Sequence, residues 1–392
     1  MKKEQYTDWR ADIARWSVPL TGRLPGCPNN LREGLLVRFT DGSQTLFGDC
    51  APLPGFSVET LEDAEQALID ACQRLYENSH LRDLCRREGV TAALGNYPSS
   101  VVFAIECALG LVSDIDTTEN SQSRPGKIQL EKVQLEKIQS GKFPICRLLS
   151  GGNNTILSQS ESLTSDVSVV KIKVGRQPLA DDIALVCQMD KLLPASTMIR
   201  LDGNRCWSYE QACTFARQIP KQRIAFIEEP LKNPDELAAF ALSERMPVAL
   251  DESLQWRHGG SCALFKRKLE KRLDKGVEGL AAFVVKPTLA GGIWRCRELA
   301  RLAQKHELAL VISASYESNI GIDALASLSM NFAPDVAPGL DTLSVFNHSL
   351  LNHSFFEHSL FKKALESPLL CNSPDRPVIP WSSLKPVWSS HV

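Results

Sequence analysis

Val169-Val170-Lys171-Ile172-Lys173-Val174-Gly175 is a β-branched run that carries two ammonium groups two residues apart. Side chains on a strand alternate faces, so Lys171 and Lys173 point one way while Ile172 and Val174 point the other. Two cations confined to one compartment lower each other's pKa, which turns an inert ammonium into an amine able to take a proton near neutral pH. A solvated lysine ladder guarding a sheet edge has the same pattern. The stretches on either side decide between these readings.

Downstream of residue 143, short apolar runs alternate with amphipathic ones. Strands are expected at 145–149, 169–173, 199–202, 225–228, 248–251, 282–286 and 308–313, with a weak last one near 336–340. Helices are expected between most of them, as at 179–193, 209–219 and 293–306. This βαβ rhythm predicts a parallel sheet. About eight units, with no G-x-G-x-x-G after an early strand, point to a (β/α)-barrel of modified TIM type, not an open doubly wound sheet.

Upstream, 35–39 reads as a strand running into the turn Thr40-Asp41-Gly42-Ser43. A proline-stiffened loop, Gly48 to Ser57, precedes Thr60, which can cap a helix with Ala64, Ala67 and Leu68 on its apolar side. A second helix is expected over 99–112. Residues 1–112 therefore form a small α+β domain, which the tail at 350–392 is expected to complete. Residues 113–142, with a five-residue repeat at Lys127, Lys132 and Lys137, read as an insertion or linker, and 143–349 as the barrel.

The 392 residues are 43% hydrophobic and 23% charged, with a formal net charge of -2, so no overall field favours nucleic acid or a membrane surface, and a small-molecule partner is expected. The basic start is followed by no apolar leader, no run approaches a membrane span, and the twelve cysteines form no C-x-x-C pair. A cytoplasmic chain with reduced thiols is expected. His348, His353 and His358 do not share a helical face, because five steps rotate by about 140°, and no pattern fixes an oligomeric state.

Asp202, Glu228 and Asp251 each close an apolar run, at intervals of 26 and 23 residues (228 - 202 and 251 - 228). One βα unit separates each from the next, so in a barrel all three face the cavity at the carboxyl ends of the strands. A single Asp at a strand end is more often a helix cap. Three acids in register facing lysines need a cation between them, and hard oxygen donors without histidine or thiolate select Mg²⁺, with Mn²⁺ as a substitute. Lys286 closes a strand apolar on both faces and would sit on the sixth strand, across the barrel from Lys173 on the second. A substrate carboxylate on the metal would have its α-carbon between two amines, an arrangement suited to removing a weakly acidic α-proton.

These stretches resemble the enolase superfamily, in its muconate-cycloisomerase-like branch, and within it the o-succinylbenzoate synthase family. The likeness is carried by Gly48-Asp-Cys-Ala-Pro-Leu-Pro-Gly-Phe-Ser57, Lys171-Ile-Lys173, Arg200-Leu-Asp202-Gly-Asn204, Glu228-Glu229-Pro230, Asp251-Glu-Ser253, Lys286-Pro-Thr, Ser313-Ala-Ser315-Tyr-Glu-Ser318 and Pro338-Gly-Leu-Asp341-Thr. The resemblance implies that the first domain caps the barrel and that Asp202, Glu228 and Asp251 bind Mg²⁺. It implies that Lys173 takes the α-proton and returns it to a departing hydroxyl, that Lys286 stabilises the enediolate from the opposite face, and that Lys171 restrains the pKa of Lys173 and contacts the carboxylate. Arg32, Arg200, Asn204, Ser313 and Ser315 are the implied substrate contacts. The implied reaction is the syn-dehydration of 2-succinyl-6-hydroxy-2,4-cyclohexadiene-1-carboxylate to 2-succinylbenzoate in menaquinone biosynthesis. Two lysines across one α-carbon also suit a racemase of N-acylated amino acids or a dipeptide epimerase. A non-catalytic metal-binding barrel would have no reason to keep costly buried lysines. Gly203, where many relatives carry Ala, and the 113–142 segment depart from the family pattern.

Overall fold

The lysine-bearing run is the second strand of a seven-stranded parallel sheet in a computed structural model that describes residues 9–24, 26–27, 29–112, 145–255, 269–271, 273, 278–351 and 378–390. The expected insertion at 113–142 and most of the 350–392 tail, with His353 and His358, lie outside the described residues.

The chain opens with β1 (Arg10–Pro19), β2 (Leu31–Thr40) and β3 (Thr45–Cys50), paired antiparallel in that order. Helices α1 (Leu61–Glu77), α2 (Ser79–Glu88), α3 (Val90–Leu94) and α4 (Ser99–Ala108) follow. Thr60 caps α1 in a reciprocal box with Asp63, satisfying an orphan N–H at the first turn. Every residue of α4 is buried, because it is sandwiched between β3 and the barrel helices. A Cβ at Gly48 would lie 1.8 Å from the Ala104 carbonyl oxygen, so only glycine admits that sheet-to-helix approach.

The barrel comprises β4 (Arg147–Leu148), β5 (Val169–Lys173), β6 (Met198–Asp202), β7 (Ile224–Glu228), β8 (Val248–Leu250), β9 (Leu280–Val285) and β10 (Ala309–Ile312), each paired with its sequence neighbour. Its helices are α5 (Asn153–Glu161), α6 (Leu179–Leu192), α7 (Tyr209–Gln218), α8 (Leu237–Glu244), α9 (Pro287–Ala290), α10 (Gly292–Lys305) and α11 (Asn319–Phe332). The eighth strand expected near 336–340 does not form. Its place is taken by an irregular segment that bridges Ser313 to Gly339 and accepts a hydrogen bond from the Cys146 N–H at the Pro338 carbonyl, 3.0 Å away. Pro338 has no N–H to give a ladder, which explains the reduction to a bridge.

Phe226, Ala249, Ala282, Val284 and Val311 fill the barrel interior, while a larger apolar core joins the outer strand faces to the helices and to the first domain. Short β11 (Ser349–Leu350) and β12 (Val378–Ile379) pair in parallel, and β13 (Lys385–Ser389) runs antiparallel to β1 on the sheet edge opposite β3. Among the described residues no helix is long and apolar enough to cross a membrane.

Candidate active site

Burial of Val170 and Ile172 against the helix layer turns Lys171 and Lys173 into the barrel. Lys173 lies opposite Asp202 on β6, and Asp202 lies opposite Glu228 on β7, so the parallel register puts all three at one level. Asp251 follows β8 as the cap of a short 3₁₀ turn, Glu252–Leu254, and Lys286 follows β9 as the cap of α9. The Lys171 ammonium donates to Glu228 Oε2 at 2.6 Å and pairs with Asp202 Oδ2 at 3.1 Å. Lys173 donates to the same Asp202 oxygen at 3.1 Å, and Lys286 pairs with Asp251 Oδ2. Lysines from β5 and from the end of β9 thus close on the acid row from its two sides.

Among the described residues no group of three or more His, Cys, Asp and Glu side chains is drawn together tightly enough to hold a metal ion as it stands. The acids are held by the lysines instead. Asp202 Oδ1 and Asp251 Oδ1 nevertheless remain buried without a hydrogen-bond partner. Buried carboxylate oxygens left in this state favour a hard cation.

The two lysines of β5 differ. Burial pushes the Lys171 ammonium down, but Asp202, Glu228 and Asp251 outweigh it and hold its pKa well above the usual lysine value. For Lys173, burial, joined by the fields of Lys171 and Arg176, prevails over Asp202 and lowers its pKa. The expectation of mutual lowering is corrected to this extent: Lys171 depresses Lys173, while contact with two carboxylates keeps Lys171 charged. Lys286 is also raised, since Asp251, Asp202 and Glu228 together overcome its burial. Burial opposes ionisation of Asp202, yet Lys171, Lys173 and Lys286 hold it below the ordinary carboxylate range. Burial pushes Glu228 up to about 7, with Asp202 and Asp251 adding to the effect and Lys171 opposing it.

Neighbouring turns support these groups. Glu229 Oε1 accepts the backbone N–H groups of Asp251 (3.0 Å) and Ser253 (2.6 Å), and its other oxygen holds Arg205, which donates to Ser253 Oγ at 2.9 Å. Asn204 Oδ1 accepts from Lys173 at 2.5 Å, and its Nδ2 donates to Glu252 Oε1 at 3.1 Å. Asn204, Arg205 and Glu229 all have positive φ, of 41°, 56° and 25°, a backbone strain concentrated at the strand ends. A Cβ at Gly203 would fall 2.6 Å from Pro230 Cα, which accounts for glycine at this point in this chain.

Two of the residues that the resemblance implies as substrate contacts are engaged with the protein itself. Arg32 is 1% exposed, and its guanidinium donates to the carbonyls of Glu33, Ala51, Pro52 and Tyr316, so it ties the proline-rich loop to the barrel. Arg200 sits one layer below Asp202, donating to the Ala337 carbonyl at 2.7 Å and lying over the Phe226 ring. These destinations are not set by local periodicity, since a long side chain can reach several elements. Asn204 is turned to Lys173. Ser313 Oγ faces the Gly339 carbonyl at 3.4 Å, while Ser315 Oγ is buried without a partner.

The reading by sequence gave no role to Glu229, Glu252 or Tyr316. The repeated acids after β7 and β8 were the available signal for the first two. Tyr316 is held at φ 58° with its carbonyl on Arg32, and it lies in the field of Lys171 and Lys286. Phe56, Ser57, Val58 and Glu59 of the first domain meet Ser99, Gln255 and Leu289 around a cavity of about 200 Å³.

Comparison with known proteins matches residues 10–111 to the family described as MenC, N-terminal domain, and residues 158–367 to the enolase C-terminal domain-like family. The chain is 34% identical over 340 residues to the o-succinylbenzoate synthase of Yersinia enterocolitica, covering 86% of this chain and 90% of that protein. Among solved structures, MenC from Desulfotalea psychrophila superposes with a TM-score of 0.65 at 19% identity, over 88% of this chain and 97% of its own. The L-Ala-D/L-Glu epimerase of Bacillus subtilis also gives 0.65, at 18% identity over 86% of this chain and 91% of its own. The likeness to both structures establishes the barrel with its capping domain and no more than that.

Proposed function

We infer the reaction from this premise: the chain belongs to the o-succinylbenzoate synthase family of the enolase superfamily. Its reaction is the dehydration of 2-succinyl-6-hydroxy-2,4-cyclohexadiene-1-carboxylate to 2-succinylbenzoate, a hydro-lyase step of menaquinone biosynthesis. The observation that carries the site assignment is the approach of Lys173 and Lys286 to one row of acids from β5 and from the end of β9.

Asp202, Glu228 and Asp251 would hold Mg²⁺, and the unpartnered Oδ1 atoms of Asp202 and Asp251 suit that role. Mg²⁺, when bound, supplies positive charge against a carboxylate whose own charge rises as the α-proton leaves, and Mn²⁺ would serve as a substitute. Lys173 takes the α-proton: the C–H bond breaks, an N–H bond forms, and the electron pair moves toward the carboxylate. Lys173 then returns the proton to the hydroxyl as the C–O bond breaks on the same face, releasing water and an aromatic ring. Lys286 stays protonated on the opposite flank and stabilises the negative charge. Lys171 remains an ammonium, orienting Asp202 and Glu228 and facing the substrate carboxylate. The ten described cysteines are all free, in accord with a reducing, cytoplasmic setting.

The test is ultraviolet monitoring of aromatic product from the cyclohexadiene acid, with Mg²⁺ and with chelator. Fast, Mg²⁺-dependent aromatisation is expected, well above any racemisation of N-succinyl amino acids. The flanking pair of lysines also suits two-base epimerisation, and equal rates for the two substrates would overturn the ranking.

A further inference from the structure

We propose that Glu252 is a positioning residue for the base, acting on Lys173 through the side-chain amide of Asn204. This rests on the dehydratase reading above. The three groups form a chain: Lys173 Nζ to Asn204 Oδ1 at 2.5 Å, and Asn204 Nδ2 to Glu252 Oε1 at 3.1 Å. An ε-amino group at this point donates and a carboxylate only accepts, so an amide can bridge them in a single orientation, oxygen toward the lysine and nitrogen toward the glutamate. Without Glu252 the amide of Asn204 is free to turn, and its NH₂ end would repel the N–H groups of Lys173.

The backbone around the bridge is built to hold it. Asn204 and Arg205 occupy the left-handed region at φ 41° and 56°. Two independent links join this turn to the 3₁₀ turn after Asp251. Arg205 reaches Glu229 and Ser253, and Asn204 reaches Glu252. Glu229 in turn fixes the Asp251 and Ser253 N–H groups, so Glu252 starts from a clamped segment. Lys173 is then held by two acceptors, Asp202 Oδ2 and Asn204 Oδ1, which together fix the place of its nitrogen at the rim. Proximity of this kind is sensitive to displacements of about 1 Å.

The experiment uses the full chain with Mg²⁺ and the cyclohexadiene acid, with kcat expressed per Mg²⁺-binding site from a titration. Glu252→Ala is expected to lower kcat by about 10- to 100-fold with KM nearly unchanged, whereas Glu252→Gln, which keeps an acceptor for Asn204 Nδ2, recovers most of the loss. Asn204→Ala lowers kcat in the same range, and the double variant Asn204→Ala with Glu252→Ala is no slower than Asn204→Ala alone, because the glutamate acts through the amide. Additive losses, a Glu252→Gln as slow as Glu252→Ala, or a Glu252→Ala within about twofold of the unaltered chain would overturn the proposal. If Glu252→Ala does not fold, Asn204→Asp takes its place. It keeps an acceptor for Lys173 and removes the donor to Glu252, so kcat should fall, and unchanged turnover would count against the proposal. A failure of the parent reading looks different, since the unaltered chain would then give no aromatic product at all.

Discussion

The interior of the barrel and its rim are made by the same strands two residues apart, and they treat charge in opposite ways. On β6 the side chains of Arg200 and Asp202 leave the same face. The lower one gives one N–H to the Ala337 carbonyl, lies over the Phe226 ring and leaves its Nε without a partner. The upper one shares a carboxylate oxygen between two lysines and keeps the other unpartnered. Below the rim a single cation braces the sheet on a neutral carbonyl and a ring, and at the rim an anion is gathered with two cations while one of its oxygens stays free for a further positive charge. Such a cluster of buried charges is costly, and it persists where chemistry uses it.

The strongest attempt to break this contrast is to remove a rim cation. Lys286→Ala should lower kcat by about 10²–10³-fold without loss of fold, measured by ultraviolet assay alongside thermal unfolding. A variant with full activity would make Lys286 a brace like Arg200.

A buried carboxyl remote from the rim sharpens the comparison. Glu106 on α4 accepts N–H groups from Val90, Ile293 and Trp294, tying α3 and the start of α10 together. Burial raises its pKa from 4.5 to about 7, against the pull of those three N–H groups and Arg297, whereas lysines hold Asp202 down. Because the folded form holds its proton more tightly, the contribution is full below pH 4.5 and is lost as pH rises through about 7. Chemical denaturation of the parent chain and Glu106→Gln across pH 4 to 8 should differ by up to about 3 kcal/mol in pH-dependent stability. Identical pH profiles would show that Glu106 does not titrate in this window.

The smallest effect is expected one layer down. Arg200→Met removes the donor to Ala337 and should cost about 1–2 kcal/mol of stability, while turnover per folded molecule changes little. A large loss of kcat with unchanged stability would return Arg200 to the substrate.

Much of this rim was legible in the sequence because its placement obeys period two and strand-end position. Lys171 and Lys173 needed only alternation, and Asp202, Glu228, Asp251 and Lys286 needed only the βα spacing. The eighth strand was not legible, since Val336 to Leu340 has strand-like apolar residues but Pro338 prevents a ladder. The partners of Arg32 and Arg200 were not legible either, because nothing local announces carbonyls at residues 51, 52, 316 and 337. The opposite responses of Lys171 and Lys173 depend on which carboxylate each one touches, and spacing along one strand does not contain that information.

The most direct test of the central claim is Lys173→Ala, with Mg²⁺ binding followed by titration and turnover followed by aromatic absorbance. The account predicts retained Mg²⁺ binding and a fall in kcat of about 10²–10⁴-fold. Turnover equal to that of the parent chain would show that another group takes the proton and would contradict it.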